Sequence, residues 1–179
     1  MPVYKPEEYP EVIARIQKKV AERKLEMGPC LSEEEIVDFE QSCKIQLPQA
    51  YRLFLQSVGD GCGCESFPLR SLKEMERKDR SRPFLLEEAW IWEDDDRDEK
   101  VIREEIKTRV YQGELELIDF GCGDCYHLIV TGKCRGEVWN LADVGAQPCC
   151  ERQDFLGWFE LWLDDQEDTD YFKDYVYED

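Results

Sequence analysis

The residues whose types and spacing can do chemistry are cysteines and a single histidine. Cys122-Gly123-Asp124-Cys125 has the spacing of a thiolate pair that chelates zinc, with Cys134 nearby and Cys62-Gly63-Cys64 farther back in the chain. A zinc knuckle would have to turn at Gly123 while Cys125 already sits in a strand, and no second CxxC or nearby CxxH completes a ligand set. Free thiols without a metal or other cofactor are the favoured reading, with Cys122 and Cys125 kept as the zinc alternative. A redox CxxC needs a following helix to depress its thiol pKa, whereas a strand follows here. His127 and Cys125 share one face of that strand, as a Cys–His nucleophile pair would. A lone strand histidine more commonly takes an aromatic's place, and the chain has no nucleophile elbow, Walker loop or HExxH, so it reads as a non-enzyme. Asp94, Asp96 and Asp98 with Glu105 echo a calcium loop, but Glu99 stands where that loop's sharp turn requires glycine.

Two acidic clusters remain. Glu93, Asp94, Asp95 and Asp96 form one; the other is a C-terminal stretch in which Asp168 and Asp170 are followed by Tyr171, Phe172 and Tyr175. Aromatic anchors beside charge are what a protein-binding surface needs, and these nine residues are the candidate partner-binding set. The competing readings are a solvated face that keeps the protein in solution and, for the tail, packing of its aromatics on the domain itself.

The elements that must position these residues follow from hydrophobic periodicity. Val12 or Ile13, Ile16, Val20 and Met27 recur at helical spacing, and Gly28-Pro29 closes that helix. Ser32-Glu33-Glu34-Glu35 has the form of a capping box before Ile36, Phe39 and Cys43. After Pro48, suited to a first helical turn, the stripe Tyr51, Phe54, Leu55 and Val58 predicts a third helix ending at Gly59. The segment from Glu65 to Trp92 has no clear period. Val101, Ile102, Ile106 and Val110 predict a charged surface helix between Asp98 and Tyr111. Beyond Gly113 the period shortens to two: 115–120, 126–131 and 137–141 read as a meander of antiparallel strands, with turns at Gly121-Cys122-Gly123 and Thr131-Gly132-Lys133. Phe155, Trp158, Phe159 and Trp162 place an aromatic stripe on a last helix that packs on the sheet. The expected fold is α+β, a single domain with N-terminal helices and a C-terminal helix on a mostly antiparallel sheet. Its expected divisions are an N-terminal helix over 1–30, a main domain over 31–165 with an acidic helical insertion near 93–111, and an acidic aromatic tail over 166–179.

Composition bounds the function. The 179 residues suffice for a core without disulfides, and 42% hydrophobic content is too high for a disordered chain. Nine cysteines, an odd count in a long chain, lead to reduced thiols and a cytoplasmic location, since Met1 to Lys5 opens no apolar signal segment. No apolar run is long enough to span a bilayer. The formal charge of −19, from 42 acidic and 23 basic residues, repels nucleic acid and anionic lipid and attracts a basic protein.

Several stretches together resemble the SUKH superfamily. They are Leu31-Ser32-Glu33-Glu34-Glu35-Ile36, Leu47-Pro48-Gln49-Ala50-Tyr51-Arg52-Leu53-Phe54-Leu55 with Gly59-Asp60-Gly61, and Ile118-Asp119-Phe120-Gly121-Cys122-Gly123. His127-Leu128-Ile129-Val130-Thr131-Gly132, Arg135-Gly136-Glu137-Val138-Trp139 and the closing run from Asp154 to Asp164 continue the likeness in order. The resemblance implies helices against one mixed sheet. It also implies a non-enzymatic immunity protein that binds and neutralises a cognate toxin, often a nuclease, by occlusion; the alternative it implies is a regulatory scaffold for an endogenous partner. The acidic stretch from Glu93 to Glu105 and the tail beyond Asp164 depart from the family's pattern, so the partner's identity does not carry over.

Overall fold

The computed structural model describes residues 4–63, 68–149 and 152–164. Helix α1 (Tyr9–Arg23) buries Tyr9, Val12, Ile13 and Ile16. It ends earlier than its apolar spacing predicts, because Lys24 turns left-handed (φ 56°) and its N–H reaches back to the Val20 and Ala21 carbonyls. The chain beyond is extended, and Met27 belongs to strand β1 (Glu26–Met27), paired with β2 (Cys62–Gly63), rather than to the helix. Helix α2 (Glu33–Cys43) opens as its sequence dictates: Ser32 Oγ accepts from Glu35 N at 3.2 Å, and Glu35 Oε2 accepts from Ser32 N at 2.8 Å. Pro48 is the N-cap of α3 (Gln49–Ser57), which buries Ala50, Tyr51, Phe54 and Leu55.

The irregular stretch before Trp90 is sewn to its neighbours by charge. Lys73 pairs with Glu35 and Arg77 with Asp38, which lays this basic segment along the acidic side of α2, and Asp79 pairs in return with Lys44 at the helix's end. Buried Asp60 accepts from Ser71 Oγ at 2.7 Å and Leu72 N at 2.6 Å, which ties the end of α3 to the same segment.

A five-stranded antiparallel sheet follows. Its strands are β3 (Trp90–Ile91), β4 (Glu114–Gly121), β5 (Asp124–Ile129), β6 (Val138–Leu141) and β7 (Gly145–Pro148), in spatial order β3-β7-β6-β5-β4. The β4–β5 turn places Cys122 and Gly123 at φ 54° and 79°, the mirror-image turn whose twist suits a hairpin. Helix α4 (Glu99–Arg109) interrupts the strands, capped by Asp98 through Lys100 N at 2.9 Å. Helix α5 (Phe155–Leu163) closes the described fold, with Asp154 accepting from Gly157 N at 2.8 Å. The chain is thus α+β, with helices flanking an antiparallel sheet.

The sheet is covered on both faces. On one, α1, α2, α3 and α5 bury Ile16, Ile36, Phe54 and Phe159 against Tyr126, Leu128 and Val138. Phe54 sits edge-on to Phe155 and Phe159, centroids 4.8 and 4.7 Å away. On the other, a smaller cluster gathers Phe84, Leu86, Val110, Ile129, Trp139 and Leu141. Phe155, Trp158 and Phe159 of the aromatic stripe are fully buried, whereas Trp162 is only partly covered at the helix end. Helices α1 and α5 are joined by Glu160, which accepts from Tyr4 Oη at 2.6 Å and Arg15 Nε at 3.0 Å and pairs with Lys19 at 3.2 Å.

Candidate functional site

On the smaller-cluster face, polar side chains of two strands meet. Alternation along β4 aims Glu114 and Glu116 to this face while Leu115 enters the large core. Across the ladder, Glu116 is directly opposite His127. A bulge between Glu116 and Ile118 then lets Leu117 and Ile118 both enter the large core and returns Asp119 to the face of Cys125, its opposite residue. His127 is 4% exposed, and its Nδ1 stands 2.8 Å from Glu114 Oε2. Burial alone would raise the Glu114 pKa, but the histidine's hydrogen bond and charge outweigh it and hold the carboxyl below its ordinary value. Burial and the neighbouring Glu116 and Asp119 carboxylates push the Cys125 thiol up to about 12. It is therefore protonated at neutral pH, the opposite of what a thiolate nucleophile needs. Arg80 closes one side, donating to the Glu114 carbonyl at 3.0 Å and the Glu76 carbonyl at 2.7 Å. A cavity of about 350 Å³ opens onto these groups beside Arg70, Tyr111 and Leu141.

Ligand atoms of Glu116, Cys125 and His127 all lie within 4.8 Å of one another, so these side chains can hold a metal ion. Cys122 is outside that group, exposed on the hairpin turn. Cys125 thus keeps company with a histidine and a carboxylate instead of the second cysteine of its motif. Sequence alternation reveals that Cys125 and His127 share a face; Glu114 and Glu116 were missed, although Glu114-Leu115-Glu116-Leu117 carries the same period of two with acids on the side away from the core.

The acidic cluster before α4 divides. Glu93, Asp94 and Asp96 are exposed, whereas Asp95 is partly covered and turned inward. Asp95 accepts from Trp90 Nε1 at 3.0 Å and Arg97 Nε at 2.9 Å, and the Arg97 guanidinium holds its carboxyl well below the usual carboxylate range. Arg97 also binds Glu105 at 2.9 Å, and Arg97 and Arg109 lie 5.7 and 5.3 Å from the Trp90 ring centroid. Asp98 and Glu105, two members of the calcium-like pattern, are engaged in capping and ion pairing. Asp168, Asp170, Tyr171, Phe172 and Tyr175 lie outside the described residues.

The model of the SMI1 / KNR4 family (SUKH-1) matches residues 30–165. The chain belongs to this family. Comparison with curated proteins finds no match, and neither does comparison with solved structures. The SUKH-1 match runs from just before α2 to just beyond α5, so it takes in both the β4–β5 cluster and the loop that carries Asp94 and Asp96. Helix α1 precedes it, yet its apolar side is part of the large core. No helix among the described residues is long and apolar enough to cross a membrane.

Proposed function

We propose that this SUKH-1 chain is a non-enzymatic, cytoplasmic immunity-type protein that binds a cognate toxin with a basic surface and occludes it. The observation that carries the reading is the family match over 30–165, which covers most of the folded domain. Support comes from the formal charge of −19 and from Asp94 and Asp96, exposed on a loop whose shape is held from inside by Asp95. Long-range attraction of this kind raises the rate of encounter with a basic protein, while buried aromatic contacts govern how long the complex lasts. Glu93, Asp94 and Asp96 serve the first role in this proposal. The tail residues Tyr171, Phe172 and Tyr175, with Asp168 and Asp170 beside them, serve the second.

The test is co-expression with any toxin found to be encoded beside this chain's gene, scoring growth rescue and recovery of a stable complex. Rescue with a complex is the expected result. Rescue without a complex would point to an indirect effect, and failure of both would shift the reading to a regulatory scaffold with an endogenous partner.

A further inference from the structure

We propose that Glu116, Cys125 and His127 form a binding site for a single borderline-soft divalent cation of the Zn²⁺ type, with Glu114 as the residue that orients His127. The donor set is a thiol, an imidazole and a carboxylate, which is the chemistry zinc takes, and not the all-oxygen shell of calcium or magnesium. The separation fits as well. In a tetrahedral zinc site the donor atoms stand roughly 3–4 Å apart, and here the three lie within 4.8 Å of one another before any ion draws them in.

The backbone fixes these groups. Glu116 and His127 are opposite one another on hydrogen-bonded strands, and Cys125 follows on the same face of β5. Glu114 Oε2, 2.8 Å from Nδ1, sets the ring so that Nε2 is left to coordinate, the carboxylate–histidine arrangement found behind zinc ligands. Glu116 Oε1 is ion-paired with Arg70, whose Nη2 stands 2.5 Å away, so an ion at this site takes that oxygen in place of the guanidinium. Arg80, the other nearby guanidinium, is spent on main-chain carbonyls. Three protein ligands leave one coordination position for water from the adjoining cavity, and the Cys125 proton leaves to solvent as the ion binds.

The experiment uses the full chain, purified without an affinity-tag metal and stripped with a chelator, then titrated with Co²⁺ and afterwards with Zn²⁺. One Co²⁺ per chain should bind with a thiolate-to-cobalt absorption in the near ultraviolet, and Zn²⁺ should displace it stoichiometrically. Cys125→Ser should abolish that absorption. Glu114→Gln should keep it while weakening affinity roughly 10–100-fold. Cys122→Ser should change neither. Alkylation of the native wild-type protein with peptide mapping gives a readout that requires no variant to fold: Zn²⁺ should shield Cys125 and leave Cys122 reactive. Absence of saturable Co²⁺ absorption, its survival in Cys125→Ser, its loss in Cys122→Ser, or equal shielding of the two cysteines would each overturn the site.

Discussion

At neutral pH, Glu160 is held ionised between the first and last helices, and its protonation should loosen them together. Burial would raise its pKa, but hydrogen bonds from Arg15, Tyr4 and Lys19 outweigh that and lower it from 4.5 to about 2. A carboxyl whose folded pKa is depressed contributes stability that is complete above its unfolded pKa and fades as pH falls toward the folded one. Glu160→Gln should therefore cost on the order of 2 kcal/mol at pH 7, with the gap to wild type closing between about pH 5 and 2. Melting temperatures of both proteins across that range measure it, and a gap constant with pH would assign the effect to packing. Tryptophans on the last helix offer a second comparison. Trp158 is fully buried, so Trp158→Ala should cost about 3–5 kcal/mol in urea denaturation. Trp162 is partly covered and should cost clearly less. Because the buried Trp158 Nε1 has no hydrogen-bond partner among the described residues, Trp158→Phe should sacrifice little beyond ring volume.

Among the elements, those written in local sequence were the easiest to read. The capping box of α2, the stripe of α5 and the alternation of β4, β5 and β6 each rest on side chains within one segment. β1, β2 and β3 span two residues each, too short for any period, and β7 reads Gly-Ala-Gln-Pro, a strand because β3 and β6 supply ladders on its two sides. The end of α1 depends on a left-handed Lys24, a conformation that residue type does not announce. The β4–β5 cluster was half legible for the same reason: alternation within β5 joins Cys125 to His127, but facing them with Glu116 takes inter-strand register, and facing Cys125 with Asp119 takes the bulge as well. One close approach makes an element-level test. Gly132 has φ 104°, and a Cβ there would meet the Phe84 carbonyl oxygen at 2.3 Å, where Phe84 bridges to it. Gly132→Ala should destabilise the fold by about 1–3 kcal/mol, read by chemical denaturation, while a neutral result would mean that the bridge gives way without cost.

For the molecule as a whole, charge sets the expected kinetics. Association with a basic partner should slow steeply as salt rises, since attraction is screened beyond roughly 8 Å at physiological ionic strength, while dissociation changes less. Asp94→Lys with Asp96→Lys should slow association and leave the melting temperature unchanged; Asp95 is spared because Trp90 and Arg97 depend on it. Stopped-flow rates with the partner decide this, and salt-independent association would reduce the loop to a solubility device. The two-faced sheet has a separate consequence. β5 gives Leu128 to the large cluster and Ile129 to the small one, so α4 and the Phe84 segment, packed on the smaller cluster, should open before the other face does. In native-state hydrogen exchange, the Leu85 amide, bonded to the Arg109 carbonyl, should therefore exchange through a partial opening, whereas amides of the β5–β6 ladder wait for global unfolding. A partner that grips the loop ahead of α4 would then select the closed fraction of a breathing ensemble, and its apparent affinity would fall in proportion to that fraction.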